Sequence, residues 1–204
     1  MRIGILGGSF DPIHYGHLLL AEVCLEQIPL DEVWFVPAAT APHKSDASGA
    51  SPEQRMEMVE LAIAGHPAFR CSPVEIDRGG LSYTVDTLAD ITTTHPQATL
   101  YLLMGADSLK DLPSWRDPGR ILELAVPAVA ARPGQPAVNF QPLLPLASDE
   151  RLDQARQAVV QMPQLDLSSR DLRERAALQQ SLRFRTPRAV EQYIASHELY
   201  SHTD

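Results

Sequence analysis

The sequence has few cysteines and no long apolar run. Its two cysteines, Cys24 and Cys71, lie far apart and do not form a CxxC pair. We therefore expect neither a disulfide framework nor a structural zinc site. No apolar stretch approaches the length of a membrane span, and the opening run of residues 1–6 is too short for a signal peptide. These absences predict a cytoplasmic protein with no membrane partner.

Positive charge is also scarce, with 17 lysines and arginines against 26 acidic residues and a formal net charge of −9. A broad nucleic-acid-binding surface is therefore not expected, although local basic pockets are compatible with this balance. At 204 residues the chain is long enough to bury one large core. We expect a single domain over residues 1–204, whose C-terminal helical part begins at about residue 165.

Short apolar runs alternate with segments of helical periodicity along the first 130 residues. The runs predict five strands, at residues 2–6, 32–36, 69–76, 99–104 and 126–131. The intervening segments predict helices from about Tyr15, from Pro52, over residues 82–94 and over residues 119–125. This alternation implies βαβ units with right-handed crossovers. The predicted fold class is α/β, a Rossmann-like doubly wound parallel sheet with a small helical C-terminal region.

Signals are weaker after residue 132, where prolines are frequent. One helical stretch is predicted near DERLDQARQAVV (residues 149–160), and two more helices within residues 165–180 and 186–200. Ligands of such sheets bind beyond the carboxyl ends of the strands. Here the segments that follow these ends begin at Gly7, at Pro37 and at Gly105.

The segment GGSFDPIHYGH, from Gly7 to His17, concentrates several features of an anion site. Its glycine pair permits close backbone approach, and the following helix N-terminus favours an anion. His14 and His17 are three residues apart, so their rings face the same side of the first helical turn and can donate hydrogen bonds to phosphate. A tight turn, a metal pair or a structural histidine would each explain one feature. The combination within one short segment favours a phosphate site.

This segment closely resembles the signature of the nucleotidylyltransferase superfamily, whose (H/T)xGH element is complete at His14-Tyr15-Gly16-His17. The resemblance implies that the two histidines hold the phosphates of a nucleoside triphosphate through in-line nucleotidyl transfer. It also implies a set of ATP-binding residues, four in this segment and four further along the chain. These are Gly7, Gly8, Ser9, Phe10, Gly105, Asp107, Ser168 and Ser169.

Later segments are similar to the bacterial nicotinate-nucleotide adenylyltransferases, nearly from end to end. Pro42-His43-Lys44 resembles the PPHK motif of that family, with Ala41 in place of the first proline. Further similarities lie in PEQRMEMVELA, DRGGLSYTVDTL, LLMGADSLKDLPSW and TPRAVEQYIASHELY. The implied reaction transfers AMP from ATP to nicotinate mononucleotide, with Mg²⁺ carried by the phosphates and no metal site of the protein's own. ATP and nicotinate mononucleotide are thus the expected partners.

The resemblance assigns roles to several residues that also have simpler explanations. Lys44, one of two lysines in the chain, is implied to be catalytic through phosphate contact, but a loop lysine is often merely solvated. Asp107 is placed against the nucleotide, yet it can also cap the following turn. Tyr83, Thr84 and Trp115 are implied to bind the nicotinate nucleotide. Thr84 can equally be a helix-start residue with Ser82 as N-cap, whereas Trp115 offers a flat face for a pyridine ring.

The segment LSSRDLRER supplies a second predicted phosphate contact. Ser168 precedes Asp171 by three residues, which is a capping arrangement at a helix start. Two serines at a helix N-terminus with Arg173 one turn further can bind phosphate. The segment resembles the family motif SSTxxR, but Arg170 occupies the threonine position. This leaves open what replaces the threonine hydroxyl and where the added cation points.

Three other functions are compatible with parts of the sequence. A related nucleotidylyltransferase could act on nicotinamide mononucleotide or phosphopantetheine, against which Trp115 and SYTVDTL argue. A non-catalytic nucleotide sensor is suggested only by Arg170. A class I aminoacyl-tRNA synthetase fragment would lack room for tRNA-binding domains. No sequence feature indicates an oligomeric state.

Overall fold

The computed structural model describes residues 1–40, 49–131, 133–134 and 136–201. Its strands are β1 Arg2–Gly8, β2 Glu32–Pro37, β3 Phe69–Cys71, β4 Thr99–Gly105, β5 Ala125–Ala131 and β6 Val159–Gln161. Its α-helices are α1 Tyr15–Gln27, α2 Pro52–Ile63, α3 Val74–Arg78, α4 Thr84–Thr94, α5 Ala106–Asp111, α6 Pro118–Leu124, α7 Asp149–Gln157, α8 Ser169–Ala177 and α9 Arg188–Ser196. Short 3₁₀ turns cover Leu112–Ser114 and Gln141–Leu143.

The six strands form one sheet in the order β3-β2-β1-β4-β5-β6. β1 pairs with β4, β4 with β5 and β5 with β6, all in parallel. The strand order therefore runs outward in both directions from the β1–β4 pair, which confirms the predicted doubly wound α/β fold. In open sheets of this kind the point of reversal is where ligands bind. Residues 7–17, which we call the histidine segment, begin at the end of β1.

The sheet is buried because its central strands are apolar on both faces. Residues 100–104 of β4 and residues 125–130 of β5 are all buried. A parallel sheet covered by helices requires such continuous apolar strands. None of the helices within the described ranges is long and apolar enough to cross a membrane.

The prediction of a strand over residues 69–76 is wrong beyond Cys71. Residues 74–78 form α3 instead, after Pro73, whose φ of −82° and ψ of 6° already depart from strand geometry. Proline lacks an N–H for a strand ladder but is tolerated just before or at the start of a helix. Apolar periodicity alone did not distinguish these two states over so short a segment.

The helical prediction near residues 149–160 is also corrected at its end. α7 ends at Gln157, and Val159–Gln161 adds β6 to the sheet by pairing with residues 129–131 of β5. β5 would otherwise present an unpaired edge, and β-branched residues such as Val159 and Val160 suit a strand. The two C-terminal helices are present as α8 and α9, and α2 begins at Pro52 as predicted, with Ser51 as its N-cap.

The chain separates into two compact units. The first consists of Met1–Gly7, Leu19–Trp34 and Tyr83–Gln164. The second consists of Gly8–Leu18, Phe35–Ser82 and Leu165–Asp204, within the limits of the described residues. The second unit thus contains most of the histidine segment, α2 and the C-terminal helices.

Candidate functional site

The loop that follows β1 is shaped by Gly8 and Phe10. Phe10 is 1% exposed and has a φ of +49°, so its side chain turns inward rather than toward solvent. A Cβ on Gly8 would lie 3.2 Å from the Phe10 ring, which explains why glycine suits this position. The edge of the Phe10 ring meets the His17 ring with centroids 5.1 Å apart. The Phe10 side chain therefore packs against His17, so only the backbone of Phe10 could contact a nucleotide.

The two histidines form a stacked pair. Their ring centroids are 3.8 Å apart and their planes are inclined by 21°. Nδ1 of His17 accepts a hydrogen bond from the His14 N–H at 3.2 Å, and Nδ1 of His14 accepts one from the Gly16 N–H at 3.1 Å. A neutral imidazole that accepts at Nδ1 carries its proton on Nε2. Each neutral ring is therefore a hydrogen-bond donor through Nε2.

Gly16 is required by close packing of the histidine segment. A Cβ at this position would lie 2.9 Å from both Cε1 and Nδ1 of His14. Ring and backbone cannot separate without breaking the hydrogen bond between the Gly16 N–H and His14 Nδ1. The glycine between the histidines is thus explained by the position of the His14 ring.

Burial keeps His14 neutral. Its side chain is 5% exposed, and desolvation lowers the pKa of His14 from 6.5 to about 4, partly opposed by a backbone hydrogen bond. At neutral pH the ring is accordingly a donor without a net charge. An adjacent phosphate would favour the charged form, because an anion stabilises an imidazolium.

We expect the burial of His14 to destabilise the fold in acid. Between its folded pKa of about 4 and its unfolded value of 6.5, the unfolded chain binds more protons than the folded one. The free energy of unfolding therefore decreases as the pH falls through this window, by up to about 3 kcal/mol from this group. Urea unfolding at pH 7 and pH 4.5 would measure the decrease in the parent protein and in His14→Gln.

The exposed His95 provides a control for this measurement. The His95→Gln variant should lose as much stability on acidification as the parent, whereas His14→Gln should lose clearly less. An identical acid-induced loss in His14→Gln and the parent would contradict the assignment of the effect to His14.

Three consecutive backbone carbonyl groups of the histidine segment accept hydrogen bonds from side chains of the C-terminal region. Arg173 Nη1 donates to Asp11 O at 2.8 Å, and Ser169 Oγ donates to Pro12 O at 2.9 Å. Thr186 Oγ1, which is buried, donates to Ile13 O at 2.7 Å. These carbonyls lie outside regular secondary structure, so side chains must satisfy them. The second predicted phosphate contact, in the segment LSSRDLRER, is therefore hydrogen-bonded directly to the segment that carries the two histidines.

The start of α8 has the predicted cap. Ser168 is the N-cap, and its Oγ accepts a hydrogen bond from the Asp171 N–H at 3.1 Å. Arg170 is exposed in the first turn of the same helix. The Arg173 side chain leaves the helix one turn later and also lies 3.9 Å from Asp11 Oδ2.

A buried guanidinium, that of Arg55, organises the segments around this loop. Arg55 is 7% exposed, and its nitrogens donate to four carbonyl oxygens. The acceptors are Ser9 O at 2.7 Å, Ala38 O at 2.6 Å, Ala39 O at 3.2 Å and Ala50 O at 3.3 Å. Burial lowers the pKa of Arg55, while the Asp11 carboxylate opposes that effect. An arginine remains charged under such conditions.

A cavity of about 170 Å³ lies within the second unit beside Arg55. It is lined by Ser9, Asp11, Ala38, Ala39, Thr40, Gly49, Ala50, Pro52, Arg55 and Arg173. Two guanidinium groups and one carboxylate leave this lining with a net positive charge, which favours an anionic ligand. The cavity therefore provides a positive pocket beside the loop that carries the histidine pair.

The residues predicted to bind the nicotinate nucleotide belong to the first unit. Thr84 is the first residue of α4, and Tyr83 is its N-cap without a side-chain hydrogen bond. The prediction of Ser82 as N-cap is wrong, because its Oγ accepts from the Ala39 N–H at 2.9 Å. Trp115 is half-buried, and its backbone N–H donates to Leu112 O at 3.0 Å.

Arg116 connects the tryptophan segment with the start of α4. Its guanidinium lies 4.6 Å from the centroid of the Tyr83 ring, and Nη1 is 3.4 Å from Asp86 Oδ2. Such a cation–π contact with Tyr83 brings the two predicted nicotinate segments together. Sequence reasoning did not identify Arg116, although it follows Trp115 directly.

The interpretation of Asp107 as a turn cap is wrong. Gly105 is the N-cap of α5, with no side-chain capping bond, and Asp107 lies within the first helical turn. Its Oδ1 accepts from Lys110 Nζ at 2.9 Å, and both side chains are exposed. Asp107 is thus accessible at the start of the helix that follows β4.

The structure assigns most predicted site residues to one of the two units. The second unit contains Gly8, Ser9, Phe10, His14, His17, Ser168, Ser169 and Arg173, whereas the first contains Gly7, Tyr83, Thr84, Gly105, Asp107 and Trp115. Lys44 and the rest of the PHK segment lie outside the described residues. Sequence reasoning also missed four residues of the second unit, namely Asp11, Arg55, Thr186 and Tyr200. All four stood inside quoted segments, but no local signal indicated their partners.

Comparison with known proteins identifies relatives along almost the whole chain. The cytidylyltransferase-like family model matches residues 5–175. A "probable nicotinate-nucleotide adenylyltransferase" of Roseiflexus sp. is 46% identical, with 97% of each chain covered. Proteins of the same name from Thermus thermophilus and Rhodopirellula baltica are 43% and 41% identical. They align over 98% and 97% of this chain and over 100% and 92% of their own lengths.

Solved structures show the same architecture. The Plasmodium falciparum nicotinic acid mononucleotide adenylyltransferase complexed with NaAD matches with a TM-score of 0.74 and 20% sequence identity. The match covers 98% of this chain and 97% of that one. At this identity the similarity supports the fold, which agrees with the strand order of the sheet.

Proposed function

This chain belongs to the nicotinate-nucleotide adenylyltransferase family, and we infer that it transfers the adenylyl group of ATP to nicotinate mononucleotide. The products are nicotinate adenine dinucleotide and pyrophosphate, in a step of NAD synthesis. The observation that carries the proposed chemistry is the stacked pair of His14 and His17, with each Nδ1 bound to a backbone N–H. Such a pair supplies two Nε2 donors for phosphate oxygens. We propose the cytoplasm as the location of this reaction.

The proposed reaction is a direct displacement at phosphorus. An oxygen of the 5′-phosphate of nicotinate mononucleotide attacks the α-phosphorus of ATP, and the bond from the α-phosphorus to the bridging oxygen breaks to release pyrophosphate. A phosphate is already a competent nucleophile, so no covalent enzyme intermediate is required. The protein's contribution is to align the two substrates and to stabilise the charge that develops on the phosphate oxygens.

His14, His17 and Arg173 are the proposed catalytic residues among those described. The Nε2–H groups of the histidines donate to oxygens of the triphosphate, with His14 neutral until the anion arrives. Arg173 approaches the same loop through its hydrogen bond to Asp11 O. A charge-assisted arginine contact with phosphate is strong and directional. Lys44, which lies outside the described residues, is proposed as a further phosphate contact.

The serines at the start of α8 take more restricted roles. The hydroxyl hydrogen of Ser169 is committed to Pro12 O, and Ser168 Oγ accepts from Asp171 N–H. We therefore propose that α8 contacts ATP through the backbone N–H groups of its first turn and through the Ser168 hydroxyl hydrogen. Helix N-termini are suited to this because their N–H groups lack intrahelical acceptors.

The remaining roles are proposed for residues of the strand-end segments and of the first unit. Gly7, Gly8, Ser9, Phe10 and Gly105 would let the nucleotide approach the backbone. Asp107 would accept hydrogen bonds from ribose hydroxyls. Tyr83, Thr84 and Trp115 would form the nicotinate pocket, with the indole face stacked on the pyridine ring.

Mg²⁺ is proposed as the metal that accompanies ATP. Over residues 1–40, 49–131, 133–134 and 136–201, no three His, Cys, Asp or Glu side chains converge as a metal site. Mg²⁺ commonly retains several waters and is bound by substrate phosphates together with one or two protein carboxylates. When bound in this way it would neutralise part of the triphosphate charge.

A comparison of acceptors tests the proposed function. Purified protein with ATP and Mg²⁺ should release pyrophosphate much faster with nicotinate mononucleotide than with nicotinamide mononucleotide or phosphopantetheine. We expect at least a ~10-fold preference, since one satisfied polar contact is worth about 1.4 kcal/mol or more. A faster reaction with phosphopantetheine would contradict the substrate. ATP binding without pyrophosphate release from any acceptor would indicate a nucleotide sensor.

A further inference from the structure

Asp11 lies beside the proposed phosphate site, where an uncompensated carboxylate would repel ATP. The structure holds this carboxylate in one orientation. Its Oδ1 accepts a hydrogen bond from the Tyr200 hydroxyl at 2.7 Å and another from the Ala50 N–H at 3.1 Å. The Asp11 side chain also lines the positive cavity beside Arg55 and Arg173. Asp11 therefore lines the proposed site, but its carboxylate is hydrogen-bonded to donors of the protein.

Arg173 depends on the same residue. Its Nη1 donates to Asp11 O at 2.8 Å and lies 3.9 Å from Asp11 Oδ2. Among the residues that the structure describes, no hydrogen bond engages Arg173 Nη2 or Nε. One edge of the guanidinium is thus fixed by Asp11, while its other donors remain for an anion. The position of Asp11 consequently determines where these donors are held.

Tyr200 reaches Asp11 from the segment after α9, 189 residues along the chain. Its φ is +63°, and that of Glu198 is +51°. Non-glycine residues retain such a backbone only where surrounding contacts impose it, and these outliers often accompany functional sites. Burial and the adjacent Asp11 carboxylate raise the pKa of Tyr200, so its hydroxyl remains a protonated donor at neutral pH.

We propose that Tyr200 is a positioning residue of the nucleotide site, which acts through Asp11 to hold Arg173 in place for the triphosphate of ATP. This inference rests on the proposed function. The Tyr200 hydroxyl keeps the Asp11 carboxylate away from the phosphates and orients the backbone that binds Arg173. Loss of the hydroxyl alone would then weaken the binding of ATP without affecting the nicotinate nucleotide.

The test compares Tyr200→Phe with Tyr193→Phe. Tyr193 is a matched control on α9, because its hydroxyl also donates to a carboxylate, Glu57 Oε2 at 2.6 Å, but outside the residues of the proposed site. Calorimetric titration would measure the Kd of an ATP analogue with a methylene bridge between the α- and β-phosphorus atoms. Steady-state assays would give KM for each substrate and kcat, and thermal unfolding would give Tm.

For Tyr200→Phe we expect an increase of about tenfold in the analogue Kd and in KM for ATP, with KM for nicotinate mononucleotide unchanged. Tyr193→Phe should match the parent in every kinetic and binding value. In an Arg173→Ala background, adding Tyr200→Phe should increase the analogue Kd by clearly less than it does in the parent, because the part of its effect that acts through Arg173 is already lost.

Three results would overturn the inference. These are an unchanged analogue Kd in Tyr200→Phe, an equal weakening in Tyr193→Phe, and fully multiplicative effects of Tyr200→Phe and Arg173→Ala. A parent protein that binds the analogue but turns over no acceptor would refute the proposed function alone, and the Kd values would still decide this inference. A parent protein that does not bind the analogue would overturn both.

Discussion

The His17→Ala variant is expected to lose ~10²–10³-fold in kcat while it remains folded. His17 is half-buried at the start of α1, and its ring contacts the His14 and Phe10 rings. Its removal deletes one of the two proposed Nε2 donors and leaves His14 without its stacking partner. A donor aimed at charge that develops in the transition state contributes far more to rate than to stability. Initial rates of pyrophosphate release would measure the loss, and circular dichroism with urea unfolding would report the fold.

Two further variants make this result interpretable. His95→Ala removes an exposed histidine of the first unit and should retain the parent kcat. His17→Asn retains a side-chain donor of smaller reach and should recover part of the activity lost in His17→Ala. Near-parental kcat in a folded His17→Ala protein would contradict the proposed catalytic role.

The Arg55→Met variant is expected to lower the free energy of unfolding by about 3 kcal/mol, because it leaves buried carbonyls without a donor. The Arg55 guanidinium binds four carbonyl oxygens, contributed by Ser9, Ala38, Ala39 and Ala50. Methionine has a similar length but cannot donate a hydrogen bond. The variant also removes one of the two guanidinium groups beside Asp11, so the affinity for ATP should fall as well. Urea unfolding followed by tryptophan fluorescence would measure the stability.

Arg55→Lys is the matched control for this prediction. Lysine preserves the charge but offers its donors from one nitrogen, so it can reach only some of the four carbonyls. Its loss of stability should be intermediate between those of the parent and Arg55→Met. If Arg55→Met unfolds within about 0.5 kcal/mol of the parent, the size expected for an ordinary surface substitution, the role of Arg55 as an organising residue is wrong.

Local patterns predicted the α/β fold class and most elements of the sheet. β1, β2, β4 and β5 lie within one or two residues of their predicted bounds, because each is an apolar run that ends at a turn-forming segment. β6 was missed, since three residues give no usable periodicity and Val159–Gln161 is a strand only by pairing with β5. Pro73 similarly changed the outcome after β3, where apolar periodicity suggested a longer strand.

The candidate site was predictable where its residues are close in the sequence. The spacing of His14 and His17 implied neighbouring rings, and the two rings stack with their centroids 3.8 Å apart. Gly16 is part of the motif, but the structure alone explains why this position is glycine. A Cβ there would lie 2.9 Å from the His14 ring. Spacing could not indicate the acceptors of Arg55, because carbonyl groups are present at every residue and carry no sequence signature.

The amino-acid sequence alone indicated four of the six strands closely, most of the helices and a phosphate site in residues 7–17, for which the family resemblance implied nucleotidyl transfer. These elements and the phosphate site depend on interactions within a few residues, which periodicity and spacing describe. The side chains that hold residues 11–13 in place were visible only in the folded chain. Ser169, Arg173, Thr186 and Tyr200 contact residues 11–13 from 157 to 189 positions away. Such contacts follow from the folding of the chain as a whole, so no local pattern specifies them.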